Sequence, residues 1–206
     1  MSQAQVTTAL TETSTYRSVW VETGGVTERI VILGGTFTPV HNGHRALLHT
    51  AFQTASHDGL GEGHVVVGLT DTELATQTRD GSDHADQLGP FEDRRQDLDA
   101  TLSRLGSAYT ASFEIIELSD TRGPAATRAD VDALVVSPEA KAQRRANEIN
   151  RQRVRDDLPR LEIHTAPFVV AEDGTRISST RIRNNEIDEH GRLLDGQGGE
   201  SQTQPR

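Results

Sequence analysis

Two histidines and two adjacent glycines form the first group of residues whose spacing suggests chemistry. They lie in the segment Gly34–His44, which ends in His41-Asn42-Gly43-His44. Because His41 and His44 are three residues apart, they face the same side at the start of a helix, where both can donate to phosphate oxygens. The unpaired N–H groups and the positive dipole end of such a helix also favour an anion. The segment therefore predicts a phosphate site.

The glycines of this segment suit the close approach of a ligand. Gly34 and Gly35 let the backbone approach the ligand, and Gly43 leaves space where a base or phosphate could sit. Two other interpretations exist, a glycine-rich turn that contains two histidines by chance and a zinc site. Zinc is disfavoured because the chain has no cysteine and because the two histidines stand three positions apart beside a glycine.

A second group of polar residues lies near the end of the patterned region. Ser178, Ser179 and Thr180 are consecutive hydroxyl residues, and Arg183 follows them. A Ser or Thr is a good N-cap of a helix, and a helix that opens here aims N–H groups and hydroxyls at an anion. Arg183 could add a charge-assisted contact to a phosphate. The alternative interpretation is an ordinary capped helix with solvated arginines.

Apolar patterning predicts strands that alternate with helices along the chain. The predicted strands are Ile30–Leu33, Val65–Leu69, Phe113–Leu118, Asp132–Val136, and one or two more at Leu161–Ile163 and Phe168–Ala171. The predicted helices carry Leu47 to Ala55, Phe91 to Leu105, the polar run Glu139–Arg155, and Arg181–Ile187. This order predicts an α/β fold, a Rossmann-like doubly wound parallel sheet with helices on both faces. Ligands of such sheets bind at the strand ends, where the first group lies.

The same patterning suggests one domain with two tails. We expect the domain at residues 28–190, a polar N-terminal extension at 1–27, and a disordered C-terminal tail at 191–206. The tail is rich in Gly, Gln and Ser. Residues 76–89 are polar and predict a mobile loop after the second strand.

Composition narrows the classes of function. The 206 residues include 31 Asp and Glu against 21 Lys and Arg, for a formal charge of −10, and Lys141 is the single lysine. This charge argues against general nucleic-acid binding, and zero cysteine excludes disulfides and thiol catalysis. No apolar run approaches a membrane span, and the N-terminus lacks an apolar signal core, so we expect a cytoplasmic protein without a membrane partner.

The dispersed acidity has two interpretations. One is an acidic patch that binds a basic partner, and the other is a surface adapted to high salt, where hydrated carboxylates keep the protein in solution. We favour the second, because the acids run from Glu12 to Glu200 without a long cluster. A halophilic source is the corresponding expectation, and separately we expect a monomer.

Both groups of polar residues resemble motifs of the nucleotidyltransferase superfamily. Gly34–His44 resembles its signature, in which His-x-Gly-His holds the phosphates of ATP or CTP, and Ile177–Arg183 resembles the Ile-Ser-Ser-Thr-x-Ile-Arg segment that closes over the triphosphate. Where the family signature usually has Asp, this chain has Thr38. A metal contact or loop-stabilising bond of that carboxylate therefore does not carry over.

The intervening chain resembles the archaeal type of phosphopantetheine adenylyltransferase. The matching pieces are Val67–Thr70, Pro90–Arg95, Leu134–Glu139, Asn147–Asn150 and Ala171–Gly174. The resemblance implies that ATP and 4′-phosphopantetheine are converted to dephospho-coenzyme A and pyrophosphate, with Mg²⁺ bridging ATP oxygens and no dedicated metal ligands in the protein. Alternatives are adenylyl- or cytidylyltransferases for nicotinamide mononucleotide, flavin mononucleotide or glycerol phosphate, a class I aminoacyl-tRNA synthetase, and a non-catalytic nucleotide sensor.

The resemblance also implies roles for individual residues. His44 donates to the α-phosphate as charge builds, and Thr36 holds a phosphate near the transfer point; both are expected to be catalytic. Arg79, the nearest match to a basic residue that the family has in the polar loop, is likewise expected to be catalytic, and the alternative is a solvated loop arginine. ATP is bound by residues of both motifs, namely Gly35, Phe37, His41, Gly43, His44, Ser178, Ser179, Thr180 and Arg183. The second substrate is bound by Thr36, Arg79 and Arg94, although Arg94 and Arg95 could equally point outward from a helix.

Overall fold

Five parallel strands form one sheet in the part of the chain that the computed structural model describes, residues 28–56, 63–78 and 88–194. The strands are β1 (Ile30–Gly35), β2 (His64–Thr70), β3 (Ser112–Leu118), β4 (Ala133–Val136) and β5 (Glu162–Thr165). Their order across the sheet is β3-β2-β1-β4-β5. The chain winds outward from β1 to β3, then crosses back to the other side of β1. This confirms the predicted doubly wound, Rossmann-like sheet.

Helices cover both faces of this sheet. The described helices are α1 (Asn42–Ala55), α2 (Thr72–Thr78), α3 (Phe91–Gly106), α4 (Pro124–Thr127), α5 (Ala140–Arg155) and α6 (Ser179–Arg183). Helices α1 and α3 pack on one face, and α4 and α5 pack on the other. Strand β2 shows the consequence, because Val65 and Val67 belong to the first core, Val66 belongs to the second, and all three are fully buried. Burial on both faces explains the continuous apolar run.

Helix α1 confirms the face that the sequence predicts. Its buried side chains include all five predicted apolar residues, namely Leu47, Leu48, Ala51, Phe52 and Ala55. They recur at the spacing of one helix face. Packed under the sheet, they fix the start of α1 beside the end of β1, which is where the histidines lie.

Helix α5 has one narrow buried face, as expected for so polar a segment, but that face contains an arginine. Arg153 is fully buried. Its Nε donates to the carbonyl of Pro159 at 2.6 Å, and its Nη1 donates to the carbonyls of Ala125 at 3.0 Å and Arg128 at 2.7 Å. Carbonyl acceptors from α4, from its C-terminal end and from the loop after α5 satisfy most of the buried donors.

The polar stretch predicted as a loop at residues 76–89 begins later than expected. Residues 76–78 are the last turn of α2. The carboxylate of Asp71 accepts the N–H of Leu74 at 2.7 Å, and Leu74 and Ala75 are buried. An Asp N-cap with two apolar residues is enough to begin a short helix. Residues 79–87 lie outside the described residues.

The second predicted strand near the end, Phe168–Ala171, does not join the sheet. In the described chain, Val170 only pairs with Arg176 in an isolated antiparallel bridge. Pro167 cannot donate to a strand ladder, so pairing with β4 ends at Ala166, whose N–H reaches the carbonyl of Val136.

The structure describes part of the predicted C-terminal tail and none of the predicted N-terminal extension. Gly191–Leu194, the first part of the predicted tail, pack on the domain, and Leu193 forms an isolated bridge with Ile187. Residues 1–27 and 195–206 lie outside the described residues. No helix of the described segments has both the length and the apolar character of a membrane span.

Candidate nucleotide-binding site

A cavity of about 330 Å³ opens at the carboxyl end of β1, on the side of β4. The chain reverses direction across the sheet between these two strands, which is where doubly wound sheets bind their ligands. The cavity is lined by the loop before α1, by residues 137–139 after β4, and by residues 167–169 and 176–180 with Arg183. Both sequence motifs therefore line one cavity.

His41 is the N-cap of α1, and its ring accepts a hydrogen bond. Nδ1 of His41 accepts the backbone N–H of His44 at 3.3 Å. An accepting Nδ1 requires the neutral tautomer with its proton on Nε2, so Nε2 is a donor. Burial is the main cause that lowers the pKa of His41 to about 2, and the charges of His44, Arg176 and Arg45 contribute smaller parts of this shift. The ring is therefore a neutral donor at physiological pH.

His44 stacks on His41 and is also neutral. The ring centroids are 3.8 Å apart, and the rings are inclined by 21°. Burial lowers the pKa of His44 to about 4, with smaller contributions from Arg45 and Arg176, while the carbonyl of Pro39 opposes part of the shift. The stack holds both imidazoles on one side of the cavity, as the spacing of three predicts.

Gly43 is required by this stack. A Cβ at this position would lie 2.9 Å from Cε1 and 3.0 Å from Nδ1 of His41, which is closer than side chains tolerate. The glycine therefore keeps the imidazole of His41 in place. The sequence interpretation was space for a ligand, whereas the structure shows that the space is taken by the His41 ring.

Thr36 lies at the end of β1, and neighbouring threonines fix it. Its Oγ1 accepts a hydrogen bond from Oγ1 of Thr70 at 3.2 Å, and its carbonyl accepts one from Oγ1 of Thr38 at 3.1 Å. Thr38, which replaces the family Asp, thus braces the loop through a neutral hydroxyl. Phe37 between them is buried and has a positive φ of 50°.

The second motif reaches across the cavity to the first. Ser178 caps α6 by accepting the N–H of Arg181 at 3.3 Å. Arg183 donates from Nη1 to the carbonyl of Thr38 at 3.1 Å and from Nη2 to Oγ1 of Thr180 at 3.2 Å. Burial lowers the pKa of Arg183. Arg183 therefore connects the two motifs as well as lining the cavity.

The arginines predicted to bind the second substrate have different positions. Arg94 is 2% exposed and donates to the carbonyl of Thr70 at 2.8 Å, while its Nε and Nη2 are buried without a hydrogen-bond partner among the described residues. Arg95 is exposed and pairs with Glu92 at 3.9 Å. Arg79 lies outside the described residues. Arg94 thus contacts Thr70 and lines neither of the two cavities described here, and Arg95 points outward.

A second cavity of about 220 Å³ meets the first. The two share lining residues at the end of β1 and around it, namely Gly34, Gly35, Thr36, Leu47 and Ser137. Away from this junction, the second cavity is lined largely by apolar residues, among them Leu74, Leu118 and Ile149, with Arg122 and Arg145. An elongated, partly apolar molecule would fit such a lining.

Sequence reasoning missed several residues of the first cavity. Ser137, Pro138 and Glu139 follow β4, and Phe168 and Arg176 come from the segment before α6. Their position directly after a buried strand was a usable signal for the first three, because strand ends line such sites. Phe168 had no comparable local signal, whereas Arg176 lies directly before the Ile177–Arg183 motif in a segment without acidic residues.

Comparison with known proteins defines the class of this site. The family described as cytidylyltransferase-like matches residues 32–185. The phosphopantetheine adenylyltransferase of Methanosarcina acetivorans is 37% identical over 163 residues, which is 79% of this chain and 94% of that protein. The chain therefore belongs to the cytidylyltransferase-like family and, within it, to the archaeal phosphopantetheine adenylyltransferases.

Two further relatives complete the comparison. A bifunctional phosphopantetheine adenylyltransferase/NTP phosphatase of Thermoplasma volcanium is 36% identical over 165 residues, and the chain spans 45% of its length. A solved protein of unknown function from Archaeoglobus fulgidus shares 26% identity with a TM-score of 0.51, over 66% of this chain and 88% of that one. The first relative thus carries a part that this chain does not match.

Proposed function

We propose that this protein transfers the adenylyl group of ATP to 4′-phosphopantetheine, giving dephospho-coenzyme A and pyrophosphate in coenzyme A biosynthesis. The observation that carries the proposal is the junction of two cavities at Gly34–Thr36. One cavity carries the predicted triphosphate contacts, and the other is partly apolar and suits a pantetheine arm. The names of the archaeal relatives support the same pair of substrates.

The reaction needs positioning rather than a general base. A phosphate oxygen of phosphopantetheine forms a bond to the α-phosphorus of ATP, while the bond from that phosphorus to the bridging oxygen breaks and pyrophosphate leaves. The attacking oxygen is already an anion, so no proton has to be removed from it. Catalysis then depends on alignment and on donors to the transferring group.

The two neutral histidines are suited to this task. Their pKa values of about 2 and about 4 leave both rings uncharged, so each ring can donate a hydrogen bond from its one N–H without carrying a positive charge. In our proposal, His44 donates to the α-phosphate as charge builds and His41 supports the triphosphate. Thr36 holds the attacking phosphate, and Ser178, Ser179, Thr180 and Arg183 bind the β- and γ-phosphates.

Mg²⁺ would enter with ATP. The described residues contain no cluster of three or more His, Asp or Glu side chains that could bind a metal by itself. In our proposal the ligands of the ion are chiefly phosphate oxygens and water, with the hydroxyls of Thr36 and Ser179 in the same cavity. When bound, the ion neutralises charge on the phosphates.

One assay separates this function from its alternatives. Pyrophosphate release from ATP is measured in molar KCl with phosphopantetheine, nicotinamide mononucleotide or flavin mononucleotide offered separately. Release with phosphopantetheine alone supports the proposal, and release with another acceptor reassigns the substrate. No release with any acceptor favours the nucleotide sensor, which the Asp-to-Thr change at Thr38 suggests. Activity that rises with KCl would support the proposed halophilic, cytoplasmic setting.

A further inference from the structure

An ion pair spans the rim of the nucleotide cavity between two residues that the proposed function does not use. Nη1 of Arg176 contacts Oε1 of Glu139. Arg176 stands just before the Ser178–Thr180 run, and Glu139 is the N-cap of α5. The two side chains are 42% and 43% exposed, and both line the cavity.

Arg176 has fewer side-chain contacts than Arg183, the other arginine that lines this cavity. The described lining contains two arginines, Arg176 and Arg183. Arg183 already uses both terminal nitrogens on Thr38 and Thr180. Arg176 is held by a single half-exposed carboxylate, and such pairs are weak. Its guanidinium can therefore reorient toward an anion in the cavity.

The charge of Arg176 also reaches the two histidines. It lowers the pKa of both His41 and His44, and at His41 its effect exceeds that of Arg45. The guanidinium therefore acts on the same region of the cavity as the predicted phosphate contacts. The carboxylate of Glu139 in the same lining would repel a triphosphate if it were not neutralised.

We propose that Arg176 is a further nucleotide-binding residue that contacts the triphosphate of ATP, and that Glu139 pairs with its guanidinium at the cavity rim until the triphosphate takes its place. This inference rests on the proposed function, because it requires that the cavity binds ATP. It assigns two roles, since Arg176 supplies a cation to the phosphates and Glu139 competes with them for it. Its test must separate phosphate binding by Arg176 from mere neutralisation of Glu139.

The test measures binding of α,β-methylene ATP and of adenosine by calorimetry to the full chain and to R176Q, E139Q and R176Q/E139Q. We expect R176Q to weaken α,β-methylene ATP roughly 10- to 100-fold, because a charge-assisted contact is lost and Glu139 is left unpaired. Adenosine binding stays within about twofold, since adenosine has no phosphate for the guanidinium to contact. We expect E139Q to strengthen binding of the analogue, because the guanidinium no longer has a competing carboxylate.

The double variant decides between the two roles. If Arg176 contacts phosphate, R176Q/E139Q remains weaker than E139Q by roughly tenfold. If Arg176 only neutralises Glu139, the double variant binds as tightly as E139Q, and the proposal is overturned. It is likewise overturned if R176Q weakens adenosine as much as the analogue, or if E139Q weakens the analogue.

Controls separate this inference from the proposed function. R155Q removes an exposed arginine at the other end of α5 and should leave all affinities unchanged. Thermal unfolding of each variant shows whether it is folded, and R176K, which keeps the charge, should recover part of the lost affinity. If the wild type binds no nucleotide, the proposed function fails together with this inference. If the wild type binds and R176Q binds equally well, only the inference fails.

Discussion

Arg183 donates a hydrogen bond from Nη1 to the backbone carbonyl of Thr38 over 3.1 Å, although 145 positions separate the two residues. This bond joins the two motifs at the nucleotide cavity. Nη2 of the same guanidinium donates to Thr180. One planar guanidinium thus donates to two loops at once. The geometry of the cavity therefore depends on the arrangement of these two donors and not on the charge alone.

The conservative variant R183K tests this dependence. A lysine keeps the charge but cannot reach the Thr38 carbonyl and the Thr180 hydroxyl with the same fork. We expect the KM for ATP to rise roughly tenfold, the size of one charge-assisted hydrogen bond, with little change in the KM for phosphopantetheine. Steady-state kinetics measure both values. R144K, an exposed position on α5 outside both cavities, is the matched control. Equal kinetics of R183K and wild type would refute the bridging role.

His44→Ala tests the transition-state donor. We expect turnover to fall on the order of 10²–10³-fold, since one donor to the developing charge is lost, while ATP binding changes much less. The measurement is kcat and KM for ATP under saturating phosphopantetheine. His49→Ala is the control, because His49 lies on the same helix and bonds to the hydroxyl of Tyr109 at 2.8 Å outside the cavity. Near-normal turnover of the His44 variant would show that another group stabilises the charge.

Gly43→Ala separates activity from stability. Alanine favours a helix over glycine by about 1 kcal/mol, so the free energy of unfolding should not fall much. The added Cβ would lie 2.9 Å from the His41 ring and displace it. We expect kcat/KM to drop between about 10- and 100-fold, as misplaced catalytic groups do. In a His41→Ala background, Gly43→Ala should lower kcat/KM no further, because the ring that it displaces is absent. If kcat/KM still fell by the same factor there, the effect of Gly43→Ala would not act through His41.

The buried histidines predict how stability depends on pH. Their folded pKa values of about 2 and about 4 lie below the value of about 6.5 in an unfolded chain, so between pH 6.5 and each folded pKa the unfolded state binds more protons at these sites than the folded state. The contribution of these histidines to the free energy of unfolding is therefore completely present above pH 6.5, and it is lost as the pH decreases. Each histidine contributes up to about 1.4 kcal/mol per pH unit in this window.

His41→Asn isolates the larger shift. Asparagine is a good N-cap and does not titrate, so it keeps the start of α1 and removes the proton uptake. We expect urea melts to show a stability loss between pH 6.5 and pH 5 that is smaller than that of the wild type by roughly 1.5 kcal/mol. The same melts on His190→Asn, which alters an exposed ring, should follow the wild type. Identical slopes in all three proteins would contradict a neutral, buried His41.

Much of the fold follows from local pattern. Continuous runs such as Val65-Val66-Val67 predicted buried strands, and the spacing of Leu47, Leu48, Ala51, Phe52 and Ala55 predicted the packed face of α1. These predictions succeeded because strand burial and helix periodicity are properties of neighbouring residues. The short helix α2 was missed, because its signal is one capping carboxylate, Asp71, before a polar segment.

The features of the candidate site also fall into those that the sequence predicted and those that it did not. The order of residues in Gly34–His44 and in Ile177–Arg183 was enough to predict two polar segments of one site, and both segments line the same cavity. The burial of Arg94, the bond from Arg183 to Thr38, and the ion pair of Arg176 with Glu139 were not predictable. Each joins residues that are far apart in the chain, or depends on which side of a helix meets the sheet.

The sequence by itself determined the alternation of strands and helices, the donors of both motifs, the absence of cysteine, and a net charge of −10. Only the tertiary structure decided that β1 lies between β2 and β4, so that its carboxyl end opens toward both cavities. It also decided that both histidines are neutral, because their pKa values depend on burial and on the charges of Arg45 and Arg176. The reason is physical. Backbone preferences act over a few residues, whereas desolvation and charge pairing depend on which distant segments the fold brings together.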